Sequence, residues 1–266
     1  MDLKRRVKQA VKRPIKAAVY PLYERRLQRN LDLSQTPHHV GVILDGNRRW
    51  AKVNFGAKAA HGHKQGAAKI IDLLDWCEET GVSIITLWLL STDNLKRDPE
   101  ELESLLQIIA ETVESLASTG RWEVNCLGAL DLLPEWMQLR LKSAEEKSHG
   151  ISPIVVNVAI GYGGRREIID AVRRHIDNGI EAGKSAAEIS ESVSIDAIGA
   201  HLYTRGLPDP ELVIRTSGEQ RLGGFLLWQS ANSEFYFCEA YWPDFRKVDF
   251  LRALRAYAIR HRRHGR

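Results

Sequence analysis

The stretch Val42 to Trp50 reads VILDGNRRW, an apolar run that closes on an aspartate, a glycine, an asparagine and two arginines. On an open surface an acid–arginine pair contributes under about 1 kcal/mol. At the end of a strand that reads as buried, Asp45 beside Arg48 and Arg49 asks for a ligand. The ends of other apolar runs carry related residues. Gly161-Tyr162-Gly163-Gly164-Arg165 follows IVVNVAI, Ser91-Thr92-Asp93-Asn94 follows SIITLWLL, and LVIRTSGEQR holds Arg215 with Arg221 six residues on. Glycine lets backbone N–H groups approach a ligand closely, and guanidinium grips oxygen pairs bidentately. The pattern is an anion site for more than one anion, and two phosphate-bearing ligands suit it. Asp45 would repel them unless a hard cation stood between, and Mg²⁺ takes one or two carboxylates together with phosphate oxygens and water. Glu234, opening the strand EFYF, is the candidate second carboxylate; on spacing alone it equally suits an edge-strand surface charge. The P-loop GxxxxGK[ST], a GxGxxG after a strand, HExxH and the DDxxD box are all absent.

These residues need elements to bring them together, and from His39 onward the pattern alternates. Strands are expected at HVGVIL, SIITLWLL, WEVNCLG, IVVNVAI, LVIRT and EFYFCEAYW. Helices are expected over about 62–80, about 99–116, from near Pro134, from about Arg165, over Ile195 to Leu202, and from about Val248 as a basic final helix. Near-continuous apolar strands alternating with helices predict an α/β fold around a mainly parallel central sheet flanked by helices. In such sheets ligands bind beyond the carboxyl ends of the strands, where the residues above fall. No linker interrupts the body, so residues 38–266 read as one catalytic domain behind a basic extension, residues 1–37.

The 266 residues are 44% hydrophobic and 27% charged, ordinary for a soluble globular chain. Cys77, Cys126 and Cys238 are odd in number and widely spaced, which argues for a reducing, cytoplasmic setting and against a disulfide framework. Residues 1–30 hold ten of the 38 Lys and Arg and two acids, leaving 28 basic against 32 acidic residues elsewhere. The body is therefore not a nucleic-acid surface. The leader has no apolar run long enough for a membrane span. Its recurring Val7, Val11, Ile15, Val19 and Leu22 suit an interfacial helix on the inner face of an anionic membrane, and equally a solvated extension.

HVGVILDGNRRWAK, STDNLKRDPEE, NVAIGYGGRREI and DPELVIRTSGEQRLGGFLLWQSANSEFYF together resemble the cis-prenyltransferases, the family of undecaprenyl diphosphate synthase, from about residue 38 to the end. The resemblance implies a homodimeric α/β enzyme with an apolar product tunnel that joins isopentenyl diphosphate to an allylic diphosphate, forming a Z double bond. It implies that Asp45 binds Mg²⁺ and the allylic diphosphate, cradled by Gly46, Asn47, Arg48 and Arg49 with Trp50 supporting the turn and His63 near the same phosphates. Ser91, Thr92, Asp93, Asn94 and Leu95 match the catalytic loop, with Arg97 and Glu101 in register. Arg215 and Arg221, followed by Leu222 and Gly223, match the isopentenyl diphosphate arm, and Glu234 the second metal ligand. Asn94, an amide, suits orienting a group rather than taking a proton. The chain departs from the family at Leu90 and Leu95, where aromatics are usual, at Gly223, where serine is common, and in the loop VNFGAKAAHGHK, which lacks a usual arginine.

Leu89 and Leu90 stand beside the catalytic loop where many long-chain members of the family have a small residue and an aromatic. A bulky Leu89 in the tunnel predicts early termination, the other reading being two ordinary core leucines. LLSTDNL resembles the actinobacterial Z,E-farnesyl diphosphate synthases, which extend geranyl diphosphate by one unit. The alternatives are a long-chain decaprenyl or undecaprenyl synthase starting from farnesyl diphosphate, a non-catalytic partner subunit, and an RNA- or membrane-binding module driven by the leader.

Overall fold

The computed structural model describes residues 20, 22–56 and 59–264. Six strands form one sheet: β1 (His39–Ile43), β2 (Ile84–Trp88), β3 (Glu123–Leu127), β4 (Val155–Ala159), β5 (Leu212–Arg215) and β6 (Glu234–Phe237). Their order is β3-β4-β2-β1-β5-β6, and every neighbouring pair is parallel. The main helices are α1 (residues 22–29), α2 (Asn47–Phe55), α3 (Ala59–Thr80), α4 (Pro99–Ser118), α5 (Glu135–Ser148), α6 (Gly164–Glu181), α7 (Ala186–Glu191), α8 (Ile195–Gly199) and α9 (Lys247–His264). The α/β architecture expected from the sequence is present. Two helices, α2 and α7, were not expected, and EFYFCEAYW is a strand only as far as Phe237.

Side-chain alternation divides the sheet into two faces. Val40, Val42, Ile85, Leu87, Val156, Val158 and Ile214 enter the large core beneath α3, α4, α5 and α9. Ile43, Ala159 and Val213 face the other way, against Tyr162, Phe225 and Leu226. That second face also carries a buried polar ladder. Asn125 Nδ2 donates to Asn157 Oδ1 (3.4 Å), Asn157 Nδ2 to Thr86 Oγ1 (3.2 Å), and Thr86 Oγ1 meets His39 Nε2 at 2.8 Å. His39 Nδ1 lies 2.7 Å from the Pro208 carbonyl, so it is the donating nitrogen and Nε2 accepts. Burial lowers the His39 pKa to about 4, which keeps the ring neutral at physiological pH.

The chain turns sharply where β1 delivers Asp45. Gly46 has φ +108°, and a Cβ there would lie 2.7 Å from the Tyr241 ring, so both the backbone angle and the space require glycine. No side chain caps α2, so its first N–H groups stay available at that end. α4 starts conventionally, with Asp98 accepting from the backbone of Glu100 and Glu101 and Pro99 in the first turn.

Candidate active site

The carboxyl ends of β1, β2 and β5 surround a cavity of about 450 Å³. Of the residues singled out in the sequence, Asp45, Gly46, Asn47, Arg48, Arg49, His63, Leu89, Leu90, Ser91, Asn94, Arg97, Arg215 and Arg221 line it. Four of them, with Glu219, form an alternating chain of charge. Arg215 Nη2 reaches Asp45 Oδ2 at 2.9 Å, and Asp45 Oδ1 takes Arg49 Nη2 at 3.4 Å. Arg49 Nη1 reaches Glu219 Oε1 at 3.2 Å, and Glu219 Oε2 takes Arg221 Nη1 at 2.6 Å.

The backbone fixes the first of these links. The Thr216 hydroxyl accepts the Asp45 N–H at 2.9 Å and donates to the Asp45 carbonyl at 2.7 Å, tying the ends of β1 and β5 together. Arg215 is buried; its Nη1 donates to the Arg221 carbonyl, and its Nε has no partner among the described residues. Burial alone would raise the Asp45 pKa, but hydrogen bonds from Arg215 and Ser217 and the charges of Arg215 and Arg49 hold it below the ordinary carboxylate value. Asp45 is therefore ionised at neutral pH. Burial, then Arg97 and Arg48, lowers the His63 pKa to about 4, so this histidine stands neutral at the cavity wall with Nε2 unpartnered.

The loop after β2 is pinned to the turn after β4. Tyr162 N–H donates to the Leu90 carbonyl (3.0 Å) and Thr92 N–H to the Tyr162 carbonyl (3.1 Å). The Tyr162 hydroxyl in turn donates to buried Glu167 in the first turn of α6, which also accepts from Gln229 Nε2 (3.0 Å) and Tyr203 N (3.0 Å). Asn94 Oδ1 accepts from Arg97 Nη2 at 2.9 Å, so the amide oxygen is engaged and the NH₂ is what it can offer a ligand. Arg97 and Arg48 share Glu101, at 3.1 and 3.6 Å.

Several expected residues stand back from the cavity. Trp50 is buried and stacks on His61 behind the first turn of α2. Thr92, Leu95, Leu222 and Gly223 lie outside the lining, and Asp93 points to solvent beside Lys96. Glu234 calls for a correction: within one chain it does not stand beside Asp45. Parallel pairing sets Glu234 against Leu212 and Phe237 against Arg215, so Glu234 lies three residues, about 10 Å, from the end of the sheet that forms the site, where it ion-pairs with Arg260 at 2.9 Å. Leu89 and Leu90 also separate. Leu89 borders an apolar recess of about 40 Å³ walled by Leu44, Ile70, Leu105, Ile108, Ile109, Thr112 and Trp242, whereas the Leu90 side chain is fully buried in the core. Glu219 and Trp88, which the sequence reading missed, both line the main cavity. Glu219 sits between two arginines in RTSGEQR, and that was its only signal; Trp88 reads as an ordinary core aromatic.

The donor set limits the metal. Among the described residues no three His, Cys, Asp or Glu side chains gather closely enough to cage an ion. Asp45, one of two carboxylates in the lining with Glu219, stands amid arginines; this set fits Mg²⁺ shared with ligand oxygens and does not fit a cation held by protein alone.

Comparison with known proteins agrees with this arrangement. Residues 43–265 match the prenyltransferase family model described as undecaprenyl diphosphate synthase. The (2Z,6E)-farnesyl diphosphate synthase of Thermobifida fusca is 57% identical over 94% of this chain and 98% of its own length. The short-chain Z-isoprenyl diphosphate synthase of Mycobacterium leprae is 52% identical over 94% and 97%. The crystal structure of lavandulyl diphosphate synthase from Lavandula x intermedia, in complex with dimethylallyl diphosphate, superposes with TM-score 0.77 at 32% identity, covering 85% of this chain and 96% of that one. With nearly its whole length matched to these relatives and its fold shared with the solved structure, the chain belongs to the undecaprenyl diphosphate synthase family of prenyltransferases.

Proposed function

We propose that the protein condenses isopentenyl diphosphate with geranyl diphosphate to give Z,E-farnesyl diphosphate and free diphosphate. The observation that carries this reading is the juxtaposition of two arginine sets with a small recess that Leu89 borders. Arg48, Arg49 and the uncapped first turn of α2 line the cavity together with Arg215 and Arg221, donors enough for two diphosphates. The recess, at about 40 Å³, exceeds one water's share of liquid volume (about 30 Å³) by little. A recess this small beside Leu89 supports an early stop to elongation.

In this reading Asp45 would hold Mg²⁺, whose charge stabilises the departing diphosphate. Arg48, Arg49 and the α2 N–H groups hold the allylic diphosphate while its C–O bond breaks and positive charge gathers on the allylic carbon. Arg215 and Arg221 hold the second substrate so that its double bond faces that carbon. The new C–C bond forms, and a proton leaves the isopentenyl unit to water or to diphosphate, with the Asn94 amide orienting the acceptor. The test is product analysis with Mg²⁺ and isopentenyl diphosphate plus geranyl or farnesyl diphosphate. One fifteen-carbon product from geranyl diphosphate is expected; a ladder to fifty carbons would favour the long-chain alternative.

Two further properties belong to the same reading. Ile169, Val172, Ile176 and Ile180 are exposed along one face of α6, at 38% to 61%, and suit burial against a second copy. Sedimentation velocity should give twice the chain mass, and Ile176→Asp should shift the protein toward monomer. In the leader, residues 1–19 lie outside the described residues. The described part, α1, is clipped to α9: Tyr20 lies under Arg246 (4.3 Å), Tyr23 under Arg252 (5.0 Å), and Leu27 packs with Val248 and Leu251. This leaves Leu22, Arg25, Arg26 and Arg29 exposed for an anionic lipid surface. Among the described residues no helix is long and apolar enough to cross a membrane. Flotation with phosphatidylglycerol vesicles, lost on deleting residues 1–30, is the expected result; flotation that survives the deletion would remove the leader from this role.

A further inference from the structure

We infer that Glu219 couples the binding of the two diphosphates, holding both arginine sets closed until the first ligand arrives. The inference rests on the reading that both diphosphates enter this cavity. Glu219 links the sets through Arg221: Oε1 sits 3.2 Å from Arg49 on the allylic side, and Oε2 sits 2.6 Å from Arg221 on the isopentenyl side. The two oxygens share one carbon and move as a rigid body. A diphosphate seated on Arg49 places its negative charge against Glu219, so the carboxylate must turn away, and that turn takes it off Arg221 as well. With 28% of its side chain already exposed, Glu219 has a path into solvent. The second diphosphate then meets an arginine that no longer has an internal counter-ion. Asp45 bridges the sets as well, through Arg215 and Arg49, and replacing Glu219 leaves that link in place.

Such coupling is reciprocal: each ligand must tighten the other by the same factor. Repulsion between the two diphosphates opposes it, but that repulsion is the same in wild type and in Glu219→Gln. The change in the coupling factor between the two proteins therefore isolates the carboxylate.

The experiment is isothermal titration calorimetry of the intact chain with Mg²⁺, using isopentenyl diphosphate and the unreactive geranyl S-thiolodiphosphate, each alone and each with the other saturating. In Glu219→Gln each ligand alone should bind more tightly than to wild type, and the factor by which one ligand tightens the other should fall by about fivefold or more. Glu239→Gln, which removes a neighbouring carboxylate outside the cavity lining, should keep the wild-type factor. If Glu219→Gln keeps that factor while both ligands bind, the coupling role is overturned and the two-diphosphate reading stands. If wild type binds only one of the ligands, the two-diphosphate reading itself fails, and the inference with it.

Discussion

Asp45→Asn is expected to lower turnover by about a thousandfold or more, with the fold retained. The substitution keeps shape and removes charge. An asparagine at this position still presents one acceptor to Arg215 Nη2, now 2.9 Å from Asp45 Oδ2, but its NH₂ must face the other arginine, donor against donor. The carboxylate that lies between Arg215 and Arg49 and would hold a shared cation is then gone. Losing one preorganised electrostatic group costs about 10²–10³ in rate, and here the same atom pair also aligns Arg49 and Arg215, so the upper end is expected. Because the backbone of Asp45 is held by the Thr216 hydroxyl, independently of the carboxylate, thermal stability should change little. Steady-state rates at saturating Mg²⁺ and substrates, beside a melting curve, check both halves. A variant that keeps more than a tenth of wild-type turnover would remove Asp45 from the centre of the mechanism.

The second large effect is on the identity of the product. Leu89→Ala joins the small recess beneath α3 and α4 to the main cavity, since Leu89 borders both. Geranyl diphosphate and excess isopentenyl diphosphate should then give products longer than fifteen carbons. Leu90→Ala is the matched control. Its side chain is fully buried in the core and does not border the recess, so the truncation should destabilise by about 2–5 kcal/mol and lengthen the product less than Leu89→Ala does. Unchanged length in Leu89→Ala would mean that the tail is stopped elsewhere, with Ile108 or Thr112 in the recess wall as the next positions to vary.

The parts of the site that could be read from the sequence share one property: each sits at the carboxyl end of an apolar run. Asp45 after VIL, Ser91 after WLL and Arg215 after LVI declare their place because a parallel sheet gathers such ends. Glu234 misled for the converse reason. It opens its strand, and whether a strand's first residue lies near the site depends on register, which spacing does not reveal; the pairing of Leu212 with Glu234 settles it. Glu219 went unnoticed because its importance is tertiary. A glutamate between two arginines in a polar turn is ordinary until Arg49, 170 positions earlier, is seen to reach it. Trp88 looked like core for the same reason, and part of it is core, stacked on Phe225 at 5.2 Å. Helix α2 was missed because its cap is a left-handed glycine rather than a serine or aspartate, leaving no capping signature to find.

The polar ladder on the second face of the sheet has a bearing on how the chain reaches this structure. Sliding β4 by one residue against β2 would turn its apolar set outward, so that error is self-correcting. Sliding it by two keeps every side chain on its proper face, and valines and isoleucines would pack almost as well. Asn157, however, would then lie opposite Ile84 or Trp88 instead of Thr86. A buried amide stranded in this way costs about 1–3 kcal/mol for each group left unpaired, and Asn125 and Thr86 would each lose a partner with it. The ladder therefore proofreads strand alignment during folding, and the alignment it enforces is the one that brings Asp45, Ser91 and Arg215 to the same level at the rim.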